Sequence, residues 1–298
     1  MPLQIVSHPD YDAGFPAGHR FPMGKYRHLM QQLEALGLTS GLTAAEPISP
    51  ELLCLAHDPA YVAQVLACTV PALVEREIGF PVGERVSRRA QLAAGGTLLA
   101  ARLALAHGIA CNAAGGSHHA RRGQGAGFCT FNDVAVAALG LLAEGRAENV
   151  LVVDLDVHQG DGTAQILAGN AAVFTFSMHA EKNYPVRKVA SCLDIGLPDG
   201  TGDDAYLEVL ADALDDLSRR RPWDIVFYNA GVDPHRDDRL GRLALSDDGL
   251  RRRERLVLEH FREAGVPVCG VIGGGYSSDV EALARRHAIL FETAAAFA

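Results

Sequence analysis

Six short, largely apolar runs punctuate the chain: LQIVS (3–7), GIACNAAGG (108–116), VLVVDLD (150–156), AAVFTFSMH (171–179), DIVFYNAG (224–231) and PVCGVIGGG (267–275). Several lack the polar alternation of a half-exposed sheet, which is the mark of strands buried on both faces in a parallel sheet covered by helices. Helical patterns separate them. One near the start carries Tyr26, Leu29, Met30, Leu33 and Leu36 at close to i, i+3, i+4, i+7 spacing and ends at Gly37; others fall at 89–107, 132–144, 204–218, 246–264 and 277–287. This alternation predicts βαβ units and an α/β fold. No linker, low-complexity segment or internal repeat divides the 298 residues.

Bulk properties narrow the function. The formal net charge is −9, so generic attraction to nucleic acid is not expected. The runs Arg219–Arg221 and Arg251–Arg253 read as solvated helix faces. Six scattered cysteines with no C-x-x-C suit a reducing compartment. No apolar run reaches the roughly 18 residues of a membrane span, and MPLQIVSHPD lacks the basic and apolar regions of a signal peptide. The expectation is a cytoplasmic protein with no nucleic-acid or membrane partner.

The unusual residues collect after the strands, where open parallel sheets bind ligands. Asp154, Asp156 and His158 stand two apart and share one side as their strand runs out. Carboxylate and imidazole both ligate borderline divalent metals. Asp233, after DIVFYNAG, adds a third donor and leaves a position open, as in a catalytic site. His235 is a rival ligand, more readily read as a surface histidine in a charged loop. His118 and His119 lie in the glycine-rich loop GGSHHARRGQGAGFC and suit acid–base work once carboxylates orient them; Asp154 and Asp161 are available. In VIGGGYSSD, glycines allow close backbone approach and Tyr276 has a hydroxyl to offer a developing oxyanion. No dinucleotide or Walker A pattern is present.

Taken together, HHARRGQGAGFCTFND, VVDLDVHQGDGT, FYNAGVD with DRLG, and GGGY resemble the zinc-dependent histone deacetylase family, in family order over about residues 112 to 280. HRFPMGKY and LLCLAHDPAYV extend the likeness over nearly the whole chain. FYNAGVDPHRDDRLGRLALS and GDDAYLEVL look most like class IV, the deacetylase-11 type, and its bacterial relatives.

The resemblance implies a single-domain, three-layer arginase/deacetylase fold with a central, mainly parallel, eight-stranded sheet flanked by helices. It implies hydrolysis of an acylated amine, most simply Nε-acetyl-lysine in a protein or peptide. Zinc, or alternatively ferrous iron, would sit on Asp156, His158 and Asp233. His119 would be the base and His118 its electrostatic partner, with Asp161 and Asp154 as their respective carboxylates; Tyr276 would stabilise the oxyanion. Gly127, Phe128, Tyr184 and Gly274 would line the substrate tunnel, and Asp154, Asp156, His158, Ser177 and Met178 would hold potassium. The chain departs from the pattern in three places. Lys25, with Arg27 nearby, stands where the family has an arginine in an internal channel; PHRDDRLG is unusually charged; the acidic rim residue of class I enzymes has no counterpart. Four alternatives stay open: a long-chain fatty-acyl-lysine deacylase, an acetylpolyamine amidohydrolase, a binuclear manganese ureohydrolase and a non-catalytic acyl-amine binding protein.

Overall fold

The computed structural model describes residues 1–16 and 18–298. Its centre is one sheet of eight strands: β1 (Gln4–Ser7), β2 (Leu42–Ala44), β3 (Ile109–Asn112), β4 (Val150–Asp154), β5 (Val173–Ala180), β6 (Leu193–Leu197), β7 (Ile225–Asn229) and β8 (Val268–Val271). They lie in the order β2-β1-β3-β8-β7-β4-β5-β6, and every neighbouring pair is parallel. The eight-stranded single-domain expectation holds, and the sheet is wholly rather than mainly parallel.

The six predicted runs are the six inner strands. β3, β4, β7 and β8 are buried at every residue, as strands covered on both faces must be. The two edge strands carry no such signal. β2 has three residues, none buried, and in β6 only Leu197 is buried, so neither presents a long apolar run.

The helices pack in two groups. α5 (Glu84–His107) lies along β1, β3 and β8 and against α6 (Asp133–Ala143). α1 (Lys25–Ala35), α10 (Val280–Ala295), α9 (Asp247–Glu263) and α8 (Asp203–Arg220) adjoin in series. Capping sets several boundaries: Asn132, Ser246 and Asp279 accept from the backbone N–H three residues on. The cap at Asp279 starts the last helix at 280, and it runs on to 295, past the expected 277–287. Four short helices, α2 (Pro50–Ala56), α3 (Pro59–Leu66), α4 (Ala72–Ile78) and α7 (Asp161–Leu167), add to the expected set. No helix among the described residues is long and apolar enough to cross a membrane.

α9 corrects one expectation. Arg251 and Arg252 are exposed, but Arg253 is fully buried and pairs with buried Glu254. The run is not one solvated face.

Candidate active site

The loops after β3, β8, β7 and β4 carry the chemistry, and these four strands are consecutive at the centre of the sheet. Asp156 and His158 follow β4, and Asp233 follows β7. All three are buried, and one ligand atom from each lies within 4.8 Å of the others. His158 Nδ1 stands 3.0 Å from Asp156 Oδ1 and 3.1 Å from Asp233 Oδ2. Ligand atoms around a tetrahedral zinc are roughly 3.4 Å apart, so the donors fit a divalent ion with little movement. The electrostatics point the same way, because two buried carboxylates facing one another are costly without a cation. Burial and then the charge of Asp156 push Asp233 up to about 7. Burial alone would lower His158, but the two carboxylates outweigh it and raise the imidazole to about 10.

Backbone donors hold the ligands in place. Asp156 accepts from His158 N–H at 3.0 Å and Gly274 N–H at 2.7 Å, and Asp233 from Val157 N–H at 2.9 Å. Gly274, expected to meet substrate, lines the small inner cavity, and its N–H donates to Asp156.

The tandem histidines lie beside this group, each against its own carboxylate. His118 Nδ1 is 2.7 Å from Asp154 Oδ2, and His119 Nδ1 is 2.6 Å from Asp161 Oδ1. Arg121 donates to the other oxygen of Asp161 at 2.9 and 3.2 Å, which helps hold that carboxyl below the usual range despite burial. Ionised Asp161 accepts a hydrogen bond from the Nδ1–H of neutral His119, leaving an Nε2 lone pair. The two rings are 4.1 Å apart between centroids, yet their surroundings shift them in opposite directions. Burial would lower His118, but Asp154 and Asp156 outweigh it and push it up to about 9. Burial and the neighbouring His118 charge hold His119 at about 3. The two imidazoles are thus tuned in opposite directions, His118 up and His119 down.

Tyr276 stands with its ring 6.0 Å from that of His158. Its backbone is pinned at both ends, the N–H donating to Asp238 at 2.7 Å and the carbonyl accepting from Arg239 N–H at 3.0 Å. Asp238 also accepts from Leu240 and Gly241 N–H, so part of the unusually charged loop anchors the tyrosine. Burial and the ligand carboxylates keep the phenol far above its ordinary pKa, so it remains a donor.

A cavity of about 410 Å³ opens above these groups, with Gly127, Phe128, Tyr184, His119, His158 and Tyr276 in its walls. Tyr184, half exposed, stands perpendicular to His119 at 4.7 Å. Phe128 has φ +66, a strained value for a bulky residue, fixed by a 2.7 Å bond from its N–H to Ile78 O. Below the site lies a second cavity of only about 20 Å³, lined by Phe21, Tyr26, Arg89, His118, Asp156 and Tyr276 among others. Lys25 is fully buried beside it, its Nζ donating to Gly273 O at 2.9 Å, whereas Arg27 is exposed and pairs with Asp12.

Four buried supports brace the site: Arg89 and Asn229 were not singled out in the sequence, Lys25 was singled out only for a channel, and Arg253 was read as solvated. Arg89 donates to Tyr11 O and Tyr26 Oη at the inner cavity. Asn229 donates to Asp154 at 2.9 Å. Lys25 braces the glycine loop. Arg253 Nη1 donates to Leu155 O at 3.2 Å and Gly231 O at 2.7 Å, tying together the two loops that carry Asp156 and Asp233. For Arg89 and Arg253, the only sequence signal was charge at helix positions otherwise apolar. Ser177 pairs in register with Asp154, and its hydroxyl contacts His179 Nδ1 at 3.0 Å; Met178 follows it in the same strand. His235 stands outside the ligand group and is buried rather than on the surface, with Nε2 3.2 Å from Asp247.

Three buried donors that could hold a metal, next to an imidazole free to accept a proton, suit a hydrolase better than a closed structural metal site. The fold and site together define a deacetylase-type amidohydrolase. Residues 19–293 match the histone deacetylase domain, and the chain belongs to that family. It is 48% identical to an uncharacterized protein of Picosynechococcus sp. over 99% of each chain. It is 31% identical to histone deacetylase 2 of Arabidopsis thaliana over 92% of this chain and 74% of that one. A crystal structure of acetylpolyamine aminohydrolase from Burkholderia pseudomallei shares the fold, with a TM-score of 0.78, 24% identity and 98% of each chain covered.

Proposed function

We propose that the protein is a zinc-dependent deacetylase of Nε-acetyl-lysine in proteins or peptides, nearest the class IV branch. The observation that carries the acetyl assignment is the inner cavity. At about 20 Å³ it has room for about one water or methyl group, which suits an acetyl group better than a long acyl tail. The long-chain alternative is therefore the weaker one.

A bound divalent ion supplies Lewis acidity toward the amide carbonyl and lowers the pKa of water. The chain's own groups do the rest. His119 Nε2 accepts the proton of the attacking water and returns it to the leaving amine, with Asp161 fixing the ring. His118, held by Asp154, acts as the electrostatic partner of His119 as negative charge builds. The Tyr276 hydroxyl donates to the developing oxyanion. Phe128 and Tyr184 flank the apolar lysine stem at the mouth. Oxygen and nitrogen donors suit ferrous iron as well as zinc. A potassium ion on Asp154, Asp156, His158, Ser177 and Met178 belongs to the same reading.

A panel of acetyl-lysine and myristoyl-lysine peptides and acetylspermidine, run with defined Zn²⁺ or Fe²⁺, tests it. Acetyl-lysine should be the best substrate. Preference for the myristoyl peptide would refute the acetyl assignment.

A further inference from the structure

The mouth of the site is basic although the chain as a whole carries −9. Arg20, Arg76, Lys182 and Arg242 all line the 410 Å³ opening that has His119, His158 and Tyr276 in its walls, and none of the four is buried. Only one carboxylate, Glu77, shares that lining, and it accepts from Gln124 at 2.5 Å. Arg242 pairs with Asp199 at 3.1 Å. Arg20, Arg76 and Lys182 have no ion-pair partner among the described residues. Three cations without partners at one opening of a strongly acidic protein create a local field that any incoming chain must enter. Such fields act on encounter and on partner choice more than on the chemistry within.

We propose that the mouth selects acyl-lysines set in acidic stretches of protein and disfavours cationic substrates, whether lysine- and arginine-rich tails or acetylated polyamines. This rests on the reading above that an acyl-lysine is the substrate. The lysine stem passes between Phe128 and Tyr184, which leaves flanking residues at the level of Arg76 and Lys182. Carboxylates there meet unpaired cations; ammonium groups meet like charge. Exposed partners at this range are screened by salt, with a Debye length of about 10 Å at 0.1 M.

Three peptides with one acetyl-lysine and aspartate, neutral or lysine flanks test the proposal, with turnover and binding by fluorescence anisotropy measured on each. The expected order in kcat/KM and in affinity is aspartate over neutral over lysine, with roughly tenfold or more between the extremes at low salt. The effect should fall mainly on KM and shrink as salt rises. Arg76→Glu with Lys182→Glu should reverse the order, with the neutral peptide changing least. Flank-independent affinity, preference for lysine flanks, or an unchanged order in the charge-reversed variant would each overturn the proposal. Failure of the underlying deacetylase reading looks different: no peptide is hydrolysed under any metal, while the order of binding still reports on the mouth.

Discussion

Replacing Gly274 by alanine should abolish tight metal binding without unfolding the protein. The backbone there is not in the left-handed region, so alanine is conformationally allowed and only space opposes it. A Cβ would stand 2.1 Å from Asp233 Oδ2 and 2.6 Å from Asp156 Oδ2. To reach even 3.0 Å, the Asp233 oxygen must retreat by about 0.9 Å, whereas metal–ligand distances tolerate roughly ±0.2 Å. Asp233 is not free to yield, since its other oxygen holds Val157 N–H. Metal affinity should fall at least about 100-fold, at or beyond the upper end for loss of a partner that orients a ligand. Overpacking should cost folding only about 1–3 kcal/mol. Competition titration against a chromogenic chelator measures the first effect, and denaturant unfolding of the metal-free protein the second. Gly202→Ala, whose Cβ would meet nothing within 4 Å, is the control. Affinity in Gly274→Ala within threefold of the parent would refute the packing argument and, with it, the ligand assignment.

Tyr276→Phe should bind metal normally and lose about 10²–10³ in kcat, measured by acetate release; full turnover would remove the oxyanion role. With His158 raised to about 10 and Asp233 to about 7 in the metal-free protein, binding must expel protons: about two at pH 6 and nearer one at pH 8.5. Apparent affinity should therefore climb most steeply with pH below about 7, and calorimetry in buffers of different ionisation enthalpy counts the protons; a pH-independent count contradicts this. The same raised Asp233 means that the folded metal-free chain binds a proton the unfolded one releases, so its contribution to stability falls as pH rises from about 4 to 7. Arg253→Met leaves Glu254 buried without its partner and should cost about 3–5 kcal/mol, whereas Arg253→Met with Glu254→Gln should cost much less; equal losses in denaturant titration would refute the pairing.

What could be read from the sequence follows from burial. The six inner strands announce themselves because both faces are covered, and a continuous apolar run of that length fits a buried strand better than a half-exposed one. The edges β2 and β6 are short and partly exposed, so their residues resemble loop. α2 and α3 are also short, at 7 and 8 residues, although Ser49 and Asp58, each followed by proline, are helix start signals present in the sequence. Within the site, His118, His119, Asp154, Asp156, His158, Asp233 and Tyr276 were legible because polar residues at the end of an apolar strand demand a reason. Arg253, Arg89 and Asn229 were not, because each acts from another element across a distance that no local pattern encodes; Lys25 was singled out, but not its bond to Gly273 O. Arg253 sits within a run of three arginines whose other two members face solvent, so composition pointed the wrong way.

The deacetylase assignment is exposed most plainly to acetate release from a neutral acetyl-lysine peptide by metal-stripped protein titrated with Zn²⁺. The expected result is no turnover without metal, a linear rise to one equivalent per chain and a plateau beyond it. Full activity in the stripped protein, no activity at any loading, or a break at two equivalents would contradict a deacetylase built on Asp156, His158 and Asp233.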